Sequence, residues 1–382
     1  MKITFVLPYA GLAGGIRVVA IHAERLKQRG HEVVVVSTPP EPVSLSRQVK
    51  SLLRGKGWLP LPKEDGSHLY GRDVQHRVID RCRPIVDADV PDADVVVATW
   101  WETAEWVAKM SETKGAKAYF IQHHETFENM PKERVEATWS LPLHKITISQ
   151  WLVKLAENKY GDRNVSFVPN SVETKQFHAP PRGKQSVPTV GMLYSPISWK
   201  GCDVSLKAFS LAAQKVPNLR LVAFGSSEPA KDLPLPADTE YIQQPAQAAI
   251  KNIYARCDVW LCGSWSEGFH LPPLEAMACR CPVVSTQVGG PLDIIKEGVN
   301  GHLVPTGDSV ALAKQLIHVL TLSEAEWQVM SDAAYTTATQ YTWDDAVELF
   351  EAALSTAIDR RKDGDFSGSD VPKGVGLQPT HI

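Results

Sequence analysis

Short runs of apolar, mostly β-branched residues alternate along this chain with longer amphipathic stretches, from one end to the other. This alternation is typical of parallel strands that are buried on both faces and joined by crossover helices. The predicted strands are 3–7, 32–37, 95–99, 118–121, 145–148 and 166–168 in the first half, and 189–193, 220–224, 240–242, 259–262, 282–285 and 301–304 in the second. The pattern therefore predicts an α/β chain with two doubly wound, Rossmann-like sheets.

The length of 382 residues suits two domains of ordinary size. Proline, glycine and charged residues near position 180 mark a linker, so we expect one domain over 1–178 and a second over 184–345. Residues 346–361 continue a helix that no strand follows, and this helix must bury its apolar face on an existing domain, with the first domain as the candidate. The polar, glycine-rich tail over 362–382 is predicted to be disordered.

Composition excludes several classes of protein. The net charge of −3, from 40 basic and 43 acidic residues, gives no case for binding nucleic acid. The six cysteines form no CxxC pair, which favours reduced thiols in a cytoplasmic protein over a zinc site. The sequence contains no run of 18 uncharged apolar residues, so no membrane span is predicted. Asp87-x-Asp89 and Asp92-x-Asp94 precede a buried strand, and we expect a solvated loop there, with no metal and no cofactor.

Residues 39–90 interrupt the alternation of strands and helices. This segment is too long for a simple connection between two strands of one domain. We therefore expect it to be functional or mobile and to belong to the acceptor side. It carries a basic, partly apolar patch formed by Arg47, Lys50, Leu52, Leu53, Arg54, Lys56 and Trp58. Two interpretations stay open: contact with a membrane surface or an anionic lipid-linked acceptor, or a solvated helix with a packed tryptophan.

A glycine loop, Gly11-Leu12-Ala13-Gly14-Gly15, joins the first predicted strand to a helix over 16–29. Backbone amides at such a helix N-terminus can approach a phosphate closely, although a merely structural tight turn is the alternative. The spacing is not GxGxxG, and no acidic residue closes the second strand. An NAD-linked oxidoreductase is therefore the weakest candidate.

Two glutamates, Glu267 and Glu275, flank a second loop between a strand and a helix. The strand ends near Cys262, and the helix begins around Pro272, a residue well suited to a first helical turn. Carboxylates here can accept hydrogen bonds from paired sugar or ribose hydroxyls. Their spacing alone favours a plainer interpretation, in which Glu267 is a helix-cap partner and Glu275 a solvated helix residue.

The surrounding residues resemble a known family. Ser266-Glu267-Gly268-Phe269, Leu274-Glu275-Ala276-Met277-Ala278, Pro282-Val283-Val284, Gly289-Gly290 and Glu297-Gly298-Val299-Asn300-Gly301 are similar to the C-terminal signature of family 4 glycosyltransferases, a retaining group with the GT-B fold. The similarity extends to Lys200-Gly201, Phe167-Val168-Pro169-Asn170, Ile148-Ser149 and the first glycine loop. It covers nearly the whole chain except residues 39–90 and the tail, and it implies two domains facing across a cleft.

The resemblance also implies roles for individual residues. Lys200 would pair with the donor diphosphate, Glu275 would hold the ribose hydroxyls, and Glu267 would meet the transferred sugar. The donor-binding set that it implies is Gly14, Gly15, Arg17, Asn170, Lys200, Gly225, Glu267, Gly268, Phe269, His270, Leu271 and Glu275. The chain departs from the family pattern at Met192, His270 and Arg280, and these departures are expected to bear on the sugar pocket.

A histidine pair follows the strand over 118–121, at the end where ligands bind in open α/β sheets. Family members often carry a histidine here that contacts the donor sugar. His123 and His124 are therefore catalytic candidates together with Lys200 and Glu267, and His123 is slightly preferred. Gln122 and Glu125 are candidates for the acceptor side.

The function that the resemblance implies is transfer of a hexosyl or deoxyhexosyl group from a nucleoside-diphosphate sugar to an acceptor hydroxyl, with retention. The acceptor would be a saccharide or a lipid-linked molecule, in polysaccharide, glycolipid or glycoconjugate assembly. A cytoplasmic location is expected, with peripheral contact at the inner membrane face left open. A nucleotide-sugar epimerase of the same fold and a non-catalytic nucleotide-sugar-binding protein remain alternatives, and the oligomeric state is undetermined.

Overall fold

A computed structural model describes residues 1–40, 45–55, 57–58 and 66–364. The chain divides into two compact units, of which the first comprises Met1–Thr147, Val153–Val168 and the chain from Val347. The second comprises Ile148–Leu152 and Pro169–Ala346. The boundary after Val168 lies upstream of the predicted linker. The reason is local packing: the Ser171 hydroxyl donates to the Tyr341 carbonyl, and Phe177 packs edge-on against Tyr254.

The first unit is built on a parallel sheet of seven strands. The strands are β1 (Lys2–Leu7), β2 (Glu32–Ser37), β3 (Gln75–Val78), β4 (Val95–Ala98), β5 (Ala116–Ile121), β6 (His144–Thr147) and β7 (Ser166–Phe167), in the spatial order β3-β2-β1-β4-β5-β6-β7. Its helices are α1 (Gly14–Gln28), α2 (Leu45–Leu53), α3 (Trp101–Ala108), α4 (Lys132–Ala137) and most of α5 (Gln150–Tyr160). The order of the strands reverses between β1 and β4, which is where a doubly wound sheet binds ligands.

The second unit repeats this architecture with six parallel strands. They are β8 (Thr189–Leu193), β9 (Arg220–Gly225), β10 (Glu240–Gln243), β11 (Val259–Cys262), β12 (Val283–Thr286) and β13 (Gly301–Val304), in the order β10-β9-β8-β11-β12-β13. The helices are α6 (Cys202–Ala213), α7 (Gln247–Ala255), α8 (Leu271–Ala278), α9 (Pro291–Ile294), α10 (Ser309–Thr321) and α11 (Glu324–Thr339). Here the order reverses between β8 and β11.

The predicted α/β class with two doubly wound sheets is confirmed, and the predicted strands are found to within about two residues. One strand was not predicted. β3, with the sequence QHRV, lacks an apolar pattern, and it lies at the sheet edge, where its backbone pairs with β2 while its side chains are largely exposed. The polar tail beyond residue 364 lies outside the described residues.

The C-terminal helix α12 (Trp343–Lys362) contributes its later part to the first unit. Phe350 is fully buried and packs against Phe5 and Phe120, with ring centroids 5.9 and 4.9 Å apart. His22 of α1 lies 4.5 Å from the same ring. Burial of this imidazole, together with the charge of Arg25, lowers the pKa of His22 to about 3, so it packs as a neutral aromatic residue.

Candidate active site

The candidate site of the second unit lies where its sheet reverses, after β8 and β11. These neighbouring parallel strands end at Leu193 and Cys262, and each is followed by a loop that leads into a helix. The loop after β8 ends in a short 3-10 turn, Ser198–Lys200, immediately before α6. The loop after β11 carries Glu267 and leads into α8.

A glycine lets these two loops come into contact. Gly201 has φ +56°, and a Cβ atom built on it would lie 1.9 Å from the Gly263 carbonyl oxygen. Any other residue would therefore push the two loops apart. The Trp265 amide also donates to the Trp199 carbonyl at 2.9 Å. Together these contacts place Lys200 beside Glu267.

Lys200 and Glu267 form a largely buried ion pair. The Lys200 Nζ atom donates to Oε1 and Oε2 of Glu267 at 3.0 and 2.8 Å. The Ser264 hydroxyl donates to Oε1 at 2.8 Å, and Nε2 of His270 lies 3.6 Å from the same oxygen. The Glu267 side chain is 7% exposed and that of Lys200 is 29% exposed, so the lysine is the member of the pair that solvent reaches.

Electrostatics keep Glu267 ionised and His270 neutral. Burial alone would raise the pKa of Glu267, but His270, Lys200 and the Ser264 hydroxyl outweigh it and bring that pKa below its usual range. Burial dominates at His270 and, against the attraction of Glu267, lowers the imidazole pKa to about 4. Because His270 is thus neutral at pH 7, Lys200 and Ser264 stabilise the carboxylate there.

The loop between Glu267 and α8 is braced through its carbonyl groups. The Gly268 carbonyl accepts from the Ser149 hydroxyl at 3.0 Å and from Nε1 of Trp151 at 2.9 Å. The Phe269 carbonyl accepts from the Gly290 amide at 2.6 Å. Ser149 and Trp151 come from a short segment of the first half of the sequence that belongs to the second unit.

His270 caps α8 in an unusual backbone conformation. Its φ is +73°, a region in which residues other than glycine carry a small conformational cost. Its side chain is 5% exposed, and its Nδ1 atom has no hydrogen-bond partner in the part of the chain that the structure describes. The departure from a small residue at this position therefore places a buried imidazole next to Glu267.

Glu275 is buried in α8 and oriented by a tyrosine. The Tyr254 hydroxyl donates to Oε2 of Glu275 at 2.9 Å, and the tyrosine itself is fully buried. Glu275 is therefore not the solvated helix residue that spacing alone favoured. Neither Tyr254 nor Ser264 was singled out from the sequence.

Two further predicted donor-binding residues lie in the second unit. Asn170 is 4% exposed, and its Oδ1 atom has no hydrogen-bond partner among the described residues. Gly225 ends β9, where a Cβ atom would lie 2.5 Å from the Tyr194 carbonyl oxygen. Close packing of the strand end is thus sufficient to explain this glycine.

In the first unit, the predicted glycine loop does lie between β1 and α1. Gly14 and Gly15 are the first residues of the helix, and the amide of Arg17 donates to the Ala13 carbonyl at 3.1 Å. Gln122, predicted to meet the acceptor, instead donates through Nε2 to the Gly15 carbonyl at 3.0 Å. Gln122 therefore connects the end of β5 to the glycine loop.

The histidine pair after β5 divides into two different roles. Both ring nitrogens of His124 are engaged within the unit, Nε2 with the Tyr160 hydroxyl at 2.7 Å and Nδ1 with the Thr126 hydroxyl at 3.0 Å. Burial lowers the pKa of His124, so the ring is an uncharged structural element. The His123 ring packs at a tilt against Phe127, with ring centroids 4.7 Å apart, and its Nδ1 atom accepts from the Glu125 amide at 3.1 Å. The preference for His123 over His124 as the functional candidate stays a prediction.

Glu125 does not have the accessible position that an acceptor contact requires. It has φ +61° and is 1% exposed, and its Oε2 atom accepts from the Trp101 amide at 3.0 Å, at the start of α3. Burial raises the pKa of Glu125 well above its usual value. In this structure Glu125 supplies a hydrogen-bond acceptor for a backbone amide at the N-terminus of α3. A buried helix end needs such a partner because its first amides have none within the helix.

Arg280 also departs from its sequence-based expectation. It follows the C-terminus of α8, whereas Glu267 and His270 precede its N-terminus. Its guanidinium pairs with Asp332, donates to the Ala179 carbonyl and lies 4.2 Å from the Tyr335 ring centroid. These contacts hold α11 against the end of α8 and do not shape a sugar pocket.

The aspartates before β4 each have a protein partner. Asp89 pairs with Arg83 and Asp92 with Lys114, while Asp87 accepts from the Ser111 amide and Asp94 from the Lys2 amide. No group of three or more histidine, cysteine or acidic side chains is arranged to hold a metal ion in the part of the chain that the structure describes. Among those same residues, no helix is both long and apolar enough to cross a bilayer.

Comparison with solved structures defines the fold class. The chain aligns over 93% of its length with Anabaena HepE in complex with UDP and glucose, covering 99% of that chain with a TM-score of 0.70 at 19% identity. Sucrose-phosphate synthase from Thermosynechococcus elongatus aligns over 94% of this chain and 99% of its own, with a TM-score of 0.71 at 15% identity. The protein has the GT-B fold of these glycosyltransferases.

Sequence comparison shows what the second unit is similar to. Residues 173–336 match the family model of glycosyl transferases group 1. D-inositol 3-phosphate glycosyltransferase of Mycobacterium leprae is 28% identical over 183 residues, which is 44% of this chain and 41% of that protein. The Mycobacterium tuberculosis protein is 27% identical over 172 residues, 42% of this chain. The matched part covers 41% of the Mycobacterium leprae protein and 35% of the Mycobacterium tuberculosis protein, so the chain spans well under half the length of these curated relatives. The match to the glycosyl transferases group 1 model lies within the second unit and covers less than half of the chain.

Proposed function

We propose that this protein is a retaining glycosyltransferase that moves a hexosyl or deoxyhexosyl group from a nucleoside-diphosphate sugar to an acceptor hydroxyl. The observation that carries the proposal is the buried Lys200–Glu267 pair at the reversal point of a doubly wound sheet, with Glu275 on the following helix. Such a point is the usual ligand site of this architecture. The group 1 family match over the same residues supports the assignment.

Lys200 is proposed to bind the donor diphosphate. Its side chain is the more exposed member of the pair with Glu267, so an anion can reach its ammonium group while the ion pair is kept. As the bond between the sugar C1 and the diphosphate oxygen breaks, the electron pair leaves with the nucleoside diphosphate. A fixed cation at that oxygen stabilises the developing charge.

Glu267 and Glu275 are proposed to hold hydroxyl groups of the donor. Glu267 is an ionised, acceptor-only group, which suits it to sugar hydroxyls and not to proton donation. Glu275, oriented by Tyr254, is proposed to take the ribose hydroxyls. Asn170 and the amides of the loop from Gly268 to Leu271 complete the proposed donor contacts.

In the first unit, the amides of Gly14 and Gly15 are proposed to bind an anion together with Arg17. His123 is proposed to contact the transferred sugar.

The acceptor oxygen forms the new bond to C1, and its proton leaves for the departing diphosphate. The acceptor is proposed to be a saccharide or lipid-linked molecule, in polysaccharide, glycolipid or glycoconjugate assembly. The reaction is proposed to depend on positioning and to need neither a metal ion nor a covalent enzyme intermediate.

A thermal-shift panel of UDP, GDP and dTDP with their sugars tests the donor assignment. A ligand at a hundred times its dissociation constant should stabilise the protein by about 2.7 kcal/mol, so the correct base should stand out. Glu275→Ala should abolish the shift, whereas Lys207→Ala, a change of an exposed lysine on α6, should preserve it. No shift with any nucleotide would refute the donor site.

Product analysis separates transfer from the alternatives. With acceptor present, the wild type should release nucleoside diphosphate and form a glycoside whose anomeric configuration by NMR matches that of the donor. Isomerisation of the donor sugar without acceptor would favour an epimerase. Tight donor binding without turnover on any of a broad panel of acceptors would favour a non-catalytic binding protein. Full turnover in the presence of EDTA is expected.

A further inference from the structure

The short helix α2 (Leu45–Leu53) buries polar side chains and exposes apolar ones, which is the reverse of a helix that packs on a hydrophobic core. Its polar residues Gln48 and Ser51 are buried, with exposed fractions of 5% and 6%. The apolar residues Leu45 and Leu53 are 76% and 82% exposed. A surface helix normally buries its apolar face, so this one presents to the outside the face that should be covered.

The exposed apolar side chains belong to a wider surface, which we call the α2 patch: Leu45, Val49, Leu52, Leu53 and Trp58, together with Lys50 and Arg54. The Ser51 hydroxyl donates to the Gly57 carbonyl at 2.8 Å, which holds the turn that leads to Trp58. Single exposed apolar residues are ordinary, but Leu45, Val49, Leu52 and Leu53 recur at helical spacing on one face of α2, and such a set is typical of an interaction site.

The sequence segment that carries the patch is basic. From residue 42 to residue 63 the sequence contains five basic residues, Arg47, Lys50, Arg54, Lys56 and Lys63, and no acidic residue, while Glu41, Glu64 and Asp65 lie directly outside this segment. The whole chain, by contrast, has a net charge of −3. The partner that fits this segment is therefore apolar where the leucines meet it and negatively charged around them.

We propose that the α2 patch docks on an anionic lipid surface, with α2 lying in the plane of the membrane interface. At 1.5 Å per residue this nine-residue helix is about 14 Å long, too short to span a bilayer but suited to an interfacial position. Leucines enter the boundary between headgroups and acyl chains, Trp58 sits at headgroup level, and Lys50 and Arg54 meet lipid phosphates. The inference is independent of the enzymatic activity.

Flotation with lipid vesicles tests the proposal. The full chain should float with vesicles containing phosphatidylglycerol and not with pure phosphatidylcholine, and sodium chloride should weaken the binding. Leu52→Ser/Leu53→Ser and Lys50→Glu/Arg54→Glu should each reduce binding at least tenfold. Val310→Ser/Val329→Ser, which changes two exposed valines of the second unit, and Lys207→Glu should bind like the wild type.

The other outcomes decide against the proposal. Equal flotation of the patch variants and the wild type, or no flotation with either vesicle, would overturn it. Light scattering that shows a dimer in the wild type and a monomer in Leu52→Ser/Leu53→Ser, with no lipid binding, would assign the patch to a second copy. Circular dichroism and a thermal midpoint equal to the wild type ensure that a loss of binding is not a loss of fold.

Discussion

Replacing Lys200 by methionine tests the electrostatic account of the candidate site most directly. The change keeps an apolar stem of similar size and removes the two hydrogen bonds to the Glu267 carboxylate. Breaking a buried pair by removing one partner costs about 3–5 kcal/mol. Because Lys200 is 29% exposed and Ser264 still donates to Glu267, we expect a smaller loss of about 2–3 kcal/mol at pH 7.

The dependence of this loss on pH follows from the sign of each pKa shift. In the wild type the folded pKa of Glu267 is lowered, so its stabilisation is complete above the unfolded value of 4.5 and disappears as the pH falls through the folded pKa. Without Lys200 we expect burial, the largest single influence, to outweigh the remaining partners and to raise that pKa, so the variant should lose stability as the pH rises above 4.5. The gap between the two proteins should therefore widen from pH 4.5 to pH 7.5.

Urea unfolding at several pH values measures this gap as a difference in free energy. Lys207→Met, on the exposed face of α6, is the matched control and should change the free energy of unfolding by less than about 0.5 kcal/mol at any pH. A loss in Lys200→Met that is the same from pH 4.5 to pH 7.5 would show that the carboxylate is not what the lysine stabilises.

Four further substitutions test separate parts of the structure. Tyr254→Phe removes the donor that orients Glu275, so steady-state kinetics should show a raised KM for the nucleotide sugar with little change in kcat. Phe350→Ala empties a buried position between Phe5 and Phe120 and should lower the free energy of unfolding by about 3–5 kcal/mol in a urea titration. His123→Ala should lower kcat, whereas His124→Ala should mainly lower the thermal midpoint, because both its ring nitrogens bind within the first unit.

Each of these has an outcome that contradicts it. An unchanged KM in Tyr254→Phe would separate Glu275 from the donor. A loss below about 1 kcal/mol in Phe350→Ala would mean that α12 does not close the core of the first unit. A larger fall in kcat for His124→Ala than for His123→Ala, with both proteins folded, would reverse the assignment of the histidines.

The sheets could be predicted because buried parallel strands leave continuous β-branched runs in the sequence, as in β4 and β12. The edge strand β3 leaves no such run, since it is held by backbone pairing with β2. The positions of Lys200 and Glu267 were predicted from a resemblance, but their direct pairing was not. This pairing depends on the contact between the loops after β8 and β11, because Lys200 and Glu267 lie 67 residues apart in sequence.

Other parts of the site leave no signal in one sequence. Tyr254 and Ser264 are common residues without a motif, and their roles arise only from the side chains they face. The sequence alone does not distinguish His123 from His124. They differ in the structure because Tyr160 and Thr126 bind the two ring nitrogens of His124. Glu125 looked available because it follows a strand end, yet its left-handed backbone turns the carboxylate inward to α3.

The five-residue segment Ile148–Leu152 has a consequence for anyone who divides or recombines this chain. It lies among residues of the first unit in sequence but supplies the Ser149 and Trp151 donors to the Gly268 carbonyl of the second. A fragment that begins at Pro169 would therefore leave that buried carbonyl without two partners. A chimera that exchanges the second unit between relatives must exchange this segment too, so that the loop and its brace come from the same parent.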